Sequence, residues 1–223
     1  ELYVYGNTRQ LVGVVESFEY LRWTRRYSQC GSFELKAVAT PDNITLLVLG
    51  NLFWKSDDEE VGIIEHLEMN QADKEAITVS GRFATSFLGR RIIWGTETLS
   101  GDLSACALKL INNHLITPSD TNRQIAGVAF ASPALGVIVN TQVSYKNLMD
   151  TITGLCDASD RGIKTVFDPS TGTLTVVLYV GAASQAVFSC EYENLTSQIY
   201  TQSGVEYANT ALIGGEGDGG SRV

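Results

Sequence analysis

The spacing of apolar residues changes partway along this 223-residue chain, and that change limits the fold more than any other feature of the sequence. Up to about Gly81, apolar residues come in short runs or alternate with polar ones, the period of extended chain with one face in a core. Leu2, Val4, Leu11, Val12, Val14, Val15, Phe18 and Tyr20 flank the turn-forming Gly6-Asn7-Thr8, so the chain opens as a hairpin. Phe33, Leu35 and Ala37 alternate with Glu34, Lys36 and Val38. After the turn at Pro41-Asp42-Asn43, Ile63, Glu65 and Leu67 alternate with Ile64, His66 and Glu68 in what reads as one strand, and Ala76 to Ser80 gives another. About six or seven strands at this spacing build a sandwich or a barrel.

After Arg82 the period lengthens. Phe83, Ser86, Phe87 and Leu88 read as a short helix ending at Gly89. Leu103, Cys106, Ala107, Leu110, Ile111 and His114 form one apolar face of a helix from Asp102 to Leu115, capped by Asp102 or Ser100. A second helix is expected from Tyr145 to Ala158, with Ser144 as cap, Leu148, Met149, Ile152, Leu155 and Cys156 inward, and Gly162 as its stop. Ile163 to Phe167 and Thr173 to Val180 then make a hairpin through Asp168-Pro169-Ser170-Thr171-Gly172. Strand character returns at Val187-Phe188 and at Ala208 to Ile213, ahead of the glycine-rich Gly214 to Gly220. The expected fold is therefore a β-rich α+β protein. Residues 1–94 form an amino-terminal β-barrel or sandwich, 95–184 a small α+β domain, and 185–223 a returning β segment, which the resemblance given below implies is the start of a second β-barrel. A closing strand normally has partners after it, so this last part is expected to be incomplete and the natural protein to continue.

Composition excludes several classes of function. With 44% hydrophobic and 18% charged residues the chain is not mainly disordered, and a net charge of -9 argues against a surface that neutralises phosphates. No apolar run reaches the roughly 18–20 residues of a membrane span. Glu1 to Gly6 lack the basic and apolar regions of a signal peptide, so no export signal is expected. Without a secretory route, the sequons at Asn43 and Asn194 carry no glycosylation claim.

Motifs that carry chemistry are weak. Cys30, Cys106, Cys156 and Cys190 form no C-x-x-C pair and read as buried hydrophobes in a chain that folds in a reducing compartment. His66 and His114 have no second ligand at metal spacing; His66 and Glu68 read as an exposed pair on one strand face. Gly215, Gly217 and Gly220 spell G-x-G-x-x-G, but Glu216 and Asp218 would repel a phosphate and no helix follows within the three remaining residues. Asp57 to Glu60 reads as a solvated loop, with an oxygen-ligand cation site as the alternative. Arg22, Trp23, Arg25, Arg26 and Tyr27 form one basic-aromatic cluster, either a strand with one face in the core or a protein interface. No residue is assigned a catalytic, cofactor-binding or metal-binding role.

Several blocks in order carry a resemblance. They are Tyr20-Leu21-Arg22-Trp23-Thr24-Arg25-Arg26-Tyr27 with Gly31-Ser32-Phe33-Glu34-Leu35, then Val79-Ser80-Gly81-Arg82 leading to Gly89-Arg90-Arg91-Ile92-Ile93. Asn147-Leu148-Met149-Asp150, Phe167-Asp168-Pro169, Val187-Phe188-Ser189, Asn194-Leu195, and Tyr207-Ala208-Asn209-Thr210-Ala211 running into Gly214-Gly215-Glu216-Gly217 follow. Together they resemble the tail-hub proteins of long-tailed bacteriophages and prophages. The resemblance implies a structural, non-enzymatic virion component of the tail tip, assembled in the bacterial cytoplasm. It implies a homotrimeric ring that continues the tail tube, docks the distal tail and tape-measure proteins, and lets DNA pass without binding it. Two rival readings are a tail-associated cell-wall hydrolase, with its lytic activity in another part of the natural protein or in an unmarked carboxylate pair, and a carbohydrate-binding module using Trp23, Trp54, Trp94 or tyrosines.

Overall fold

A computed structural model describes residues 1–70, 76–183, 186–195, 197, 199–204 and 209–210. Residues 1–182 form one compact unit and 183–223 a second.

The first unit opens with the expected hairpin, β1 (Leu2–Tyr5) and β2 (Leu11–Val15), followed by β3 (Tyr20–Thr24) and β4 (Ser32–Val38). A short helix α1 (Pro41–Leu46) leads to β5 (Leu52–Lys55), β6 (Val61–Ile63), β7 (His66–Asn70) and β8 (Ala76–Arg82). These strands form two four-stranded sheets, ordered β2-β1-β5-β6 and β3-β4-β8-β7. Alternation sends Phe33, Leu35 and Ala37 of β4 inward, where they share one buried cluster with Val4, Val15, Phe53, Ile77 and Val79. The result is a sandwich of facing sheets; the described residues do not close it into a barrel.

The segment read as a single strand from Ile63 to Glu68 is two. β6 belongs to the first sheet and β7 to the second, and the chain crosses between them at Ile64 and Glu65. Ile64 N–H donates to Asn51 O on one side, and Glu65 N–H to Ser80 O on the other. Helix α1 replaces the expected turn because Thr40 accepts from Asn43 N–H as a cap and Pro41 sits in the first turn, where its missing N–H is not needed.

A 3-10 turn, Ala84–Arg90, connects to the helical half. There β9 (Thr96–Asp102) pairs antiparallel with β11 (Ile138–Ser144), while β10 (Val128–Phe130), β13 (Thr173–Tyr179) and β12 (Gly162–Asp168) form a three-stranded sheet in that order. Helix α2 (Leu103–Ile111) starts at the predicted Asp102 cap and continues as a π turn, Asn112–Ile116. Its predicted face, Leu103 through His114, is buried. Helix α3 (Leu148–Ala158) begins later than predicted. Asn147, not Ser144, caps it by accepting from Met149 and Asp150 N–H, and Tyr145 has φ +50, which no helix tolerates. Gly162 does not stop the helix; it opens β12, where an added Cβ would lie 2.4 Å from the Tyr179 ring.

A second buried cluster joins the two halves of this unit, drawing Tyr5, Leu52, Val61 and Ile63 from the sandwich together with Leu103, Leu110, Ile152, Phe167 and Leu174. Arg9 fastens the same seam. Held at φ +63 in the first hairpin turn, it donates from Nη1 to Gly127 O at 2.6 Å and Gly172 O at 3.2 Å, and from Nη2 to Ala126 O at 2.7 Å. Arg9→Ala removes these three bonds, leaving Gly127 O with Leu174 N–H as its donor, and is expected to lower stability by about 1–3 kcal/mol. Hydrogen exchange by mass spectrometry should then quicken at Gly127–Val128 and at the Gly172 turn; unchanged exchange there would remove Arg9 as a fastener.

In the second unit, a 3-10 turn at Cys190–Tyr192 is capped by Ser189. Val187 and Phe188, expected in a strand, are exposed and form none: Asn194 brackets them, accepting from Ser189 N–H and donating to Val187 O. Ala208, the Ala211–Ile213 part of the expected strand, and Gly214 to Gly220 lie outside the described residues.

Candidate assembly surfaces and a buried acidic seam

The basic-aromatic cluster and the acidic run, 30 residues apart in the chain, meet. β3 turns Trp23 toward Phe33, Phe53 and Phe83, with ring centroids 5.9, 6.2 and 4.5 Å away. Its indole N–H donates to Asp58 Oδ2 at 3.0 Å, and the Trp54 indole N–H donates to Asp58 O at 2.9 Å. Asp58 Oδ1 accepts from Glu60 N–H, and Arg25 Nε lies 3.8 Å from Asp58 and 3.5 Å from Glu60.

The acidic run is therefore not a solvated loop throughout. The run leaves β5 through a turn closed by Asp58 N–H donating to Lys55 O, and it regains an extended pairing only at Glu60. Asp57 and Glu59 face outward to Lys55 and Lys164, whereas Asp58 and Glu60 face the seam. Glu60 is 4% exposed and bridges Val166 of β12. Burial pushes its carboxyl up to about 7; Asp58 adds to the rise and Arg25 opposes it. Arg25 fills the place a cation would take, and the described residues contain no group of three or more His, Cys, Asp or Glu arranged to hold a metal ion.

The same seam uses other polar pairs. Tyr27 O accepts from Ile163 N–H and Tyr27 Oη from Gly181 N–H, the Thr85 and Thr165 hydroxyls meet at 2.9 Å, and Asn147 donates to Gly89 O. The cluster thus holds the seam together, and Trp23 and Trp54 are half-buried parts of the core rather than stacking platforms.

The thiols differ from expectation at two positions. Cys106 and Cys156 are buried as expected, but Cys30 is half-buried and Cys190 exposed. Desolvation pushes the Cys30 thiol up to about 11 and that of Cys156 to about 12, the opposite of an activated nucleophile. His66 and Glu68 are both exposed on β7. His114 is buried: Trp94 N–H donates to its Nδ1, so Nε2 carries the hydrogen and faces Glu97 Oε1 at 3.3 Å. Burial lowers its pKa, although Glu97 opposes this.

Two of the exposed apolar surfaces among the described residues of the first unit bear on assembly and binding. One is β2, at the end of its sheet, where Leu11, Val12 and Val14 are exposed, as is the following Phe18; Val12 and Val14 line a groove of about 490 Å³ against α1. The other is the aromatic pair Trp94 and Tyr145. The sequence names Trp94 as a candidate platform but marks neither surface by local period: Leu11 to Val15 reads as an ordinary apolar strand, and Trp94 and Tyr145 are 51 residues apart.

Comparison with known proteins gives this geometry a context. Over residues 1–223 the chain matches the model of one family, described as Siphovirus ReqiPepy6 Gp37-like protein. No curated protein sequence matches it. Among solved structures, prophage tail protein gp18 from Listeria monocytogenes EGD-e superposes with a TM-score of 0.54 at 14% identity, over 79% of this chain and 50% of that one. The tail protein from Neisseria meningitidis MC58 aligns at 0.47 and 18% identity, over 78% of this chain and 49% of that one. The E. coli c3393 protein, a component of the type VI secretion system, aligns at 0.45 and 10%, over 80% and 48%. The chain thus spans about half the length of each of these proteins, and the gp18 likeness establishes a shared fold. A fold held in common with a prophage tail protein and a family match that runs from the first residue to the last agree: this chain belongs to the Siphovirus ReqiPepy6 Gp37-like protein family.

Proposed function

We propose that the chain is a structural part of a siphovirus tail tip, a hub in which three copies form a ring continuing the tail tube. The family and the tail-protein fold support the tail role, and one observation supports the ring. β2 carries exposed apolar side chains along an outer edge that pairs with no other strand among the described residues. An uncovered, apolar edge strand is unstable in isolation and is satisfied by a neighbour's strand; heterologous contacts of this kind close into a ring. A net charge of -9 suits a channel that DNA crosses without sticking.

In this reading the chain catalyses nothing. Its distal tail and tape-measure partners dock on the ring, and assembly in the bacterial cytoplasm precedes incorporation into the virion. The division into a tube-like part at 1–94, an α+β part at 95–184 and the beginning of a second barrel from 185 belongs to the same proposal.

Light scattering on the full chain, alone and with its distal tail partner, is expected to give a trimer. Val12→Lys with Val14→Lys should return it to monomer with unchanged circular dichroism. A strict monomer under both conditions would overturn the ring, and turnover of peptidoglycan abolished by one Asp or Glu substitution would overturn the non-catalytic role.

A further inference from the structure

We propose that the cleft rimmed by Trp94, whose ring Tyr145 braces from outside it, is a saccharide site, taking a pyranose unit of a surface glycan. The backbone displays both rings deliberately. Trp94 is 70% exposed and Tyr145 66%, yet the strands around them are tied together: Ile93 N–H donates to Lys146 O, Tyr145 N–H to Gly95 O, and Ile92 bridges Asn147. Gly95 has φ +89 and Tyr145 φ +50; a bulky residue persists in that region only where its surroundings hold it there, and such positions cluster at ligand sites. The rings meet edge to face at 75°, centroids 6.2 Å apart, leaving indole surface open to solvent.

Beside the rings lies a cleft of about 350 Å³ lined by Glu97, Asn113, His114, Thr117, Ser119 and Arg123, within the usual size of small-ligand sites. The π turn shapes its floor. Its wide loop, closed by Thr117 N–H donating to Asn112 O, brings Asn113 and His114 onto β9, where Asn113 Nδ2 donates to Glu97 Oε1 at 3.0 Å and Lys109 holds Oε2 at 2.9 Å. Turns of this kind inside helices are frequent at functional sites. Asn113 keeps its amide oxygen as an acceptor, and the carboxylate it bonds is fixed in direction.

The chemistry selects the ligand class. Arg123 already sits over the indole, its guanidinium carbon 5.8 Å from the ring centroid, so a cationic ligand would be repelled. Glu97 and the net charge of -9 disfavour a phosphate. A neutral polyol with one apolar face fits both halves: ring C–H groups on the indole and hydroxyls on Asn113, Glu97 and Arg123.

The test is titration of the full chain with chitohexaose, maltohexaose and a galacto-oligosaccharide, read by tryptophan fluorescence and calorimetry. At least one is expected to bind saturably with a dissociation constant near ~1 mM or tighter. Trp94→Ala should weaken that binding at least about tenfold and Asn113→Ala about fivefold, with the thermal midpoint unchanged in both. No saturable binding of any of the three would overturn the site, as would binding that Trp94→Ala leaves intact. Burial of Trp94 on self-association alone would instead make this face an interface between copies. A chain that forms the ring but binds no glycan loses this site and keeps the assembly role, so the two failures are distinguishable.

Discussion

Gly81→Ala is expected to leave little folded protein. Gly81 lies in β8 opposite Phe33 of β4, where the chain crosses from β6 to β7. An added Cβ would stand 1.7 Å from Ile63 O, 2.9 Å from Ile63 C and 3.1 Å from Glu65 N. All three are backbone atoms, so no rotamer change relieves the clash; the corner that joins the two sheets must open, losing the bond from Glu65 N–H to Ser80 O. Overpacking that side chains can absorb costs about 1–3 kcal/mol, and a backbone collision exceeds it against a total stability of about 5–15 kcal/mol. The measurable result is insoluble expression or a thermal midpoint lowered by about 10 °C or more. Gly154→Ala is the matching control. Gly154 sits inside α3 with nothing within 4 Å of the added Cβ, so alanine there should stabilise by about 0.5–1 kcal/mol. A soluble Gly81→Ala protein melting within about 2 °C of the parent would mean that the sheets do not meet at this corner.

That corner also marks where local patterning stops being informative. Alternation identified β4, the 3.6 period with Asp102 identified α2, and Pro-Ser-Thr-Gly between two apolar runs identified the β12–β13 hairpin, because each of these signals is complete within a few turns of chain. Ile63 to Glu68 keeps a strand's alternation while changing sheets, and only the contact with Gly81, far along the chain, distinguishes one strand from two. Strands β9 and β11 escaped notice for a related reason. Each buries few apolar residues, Leu99 in one and Val139 and Val143 in the other, and each finds its partner about 40 residues away. The signal for α1 was present in Thr40-Pro41 but also spells a turn. The acidic run shows no local period, because a turn at Lys55–Asp58 and a bend at Glu59 decide which carboxylates face inward: Asp58 and Glu60 meet Arg25, while Asp57 and Glu59 reach Lys55 and Lys164. Trp94 is legible as a candidate platform, but the cleft beside it is not, since it exists only once Trp94, Glu97 of β9 and the π turn are brought together.

Glu60→Gln is expected to stabilise the protein above pH 7 and to do nothing near pH 4.5. In the fold the Glu60 carboxyl titrates at about 7 rather than its ordinary 4.5, because burial against β12 disfavours the charge more than Arg25 favours it. Between those two values the folded state holds a proton that the unfolded state has released, so this group's contribution to stability grows as pH falls from about 7 toward 4.5. Above 7 both states are ionised and the full penalty applies, about 3 kcal/mol for a shift of this size. Glutamine has nearly the same shape and no charge to desolvate; it also gives up the Arg25 attraction, which the raised value already includes. At pH 8 the variant should therefore gain on the order of 1–3 kcal/mol, or about 3–10 °C in thermal midpoint, shrinking to nothing by pH 4.5. Other carboxylates act in the opposite sense: Glu65, Glu97, Asp102 and Asp168 are all held below their ordinary values by hydrogen bonds or cations and lose stability in acid. They do so equally in both proteins, so the difference between the two melting curves isolates Glu60. Arg25→Ala should move the other way at pH 8, since it removes the one cation that Nε brings within 3.5 Å of the buried carboxylate. A Glu60→Gln difference that does not vary with pH would mean that Glu60 is solvated and that the seam between the sandwich and β12 is wet.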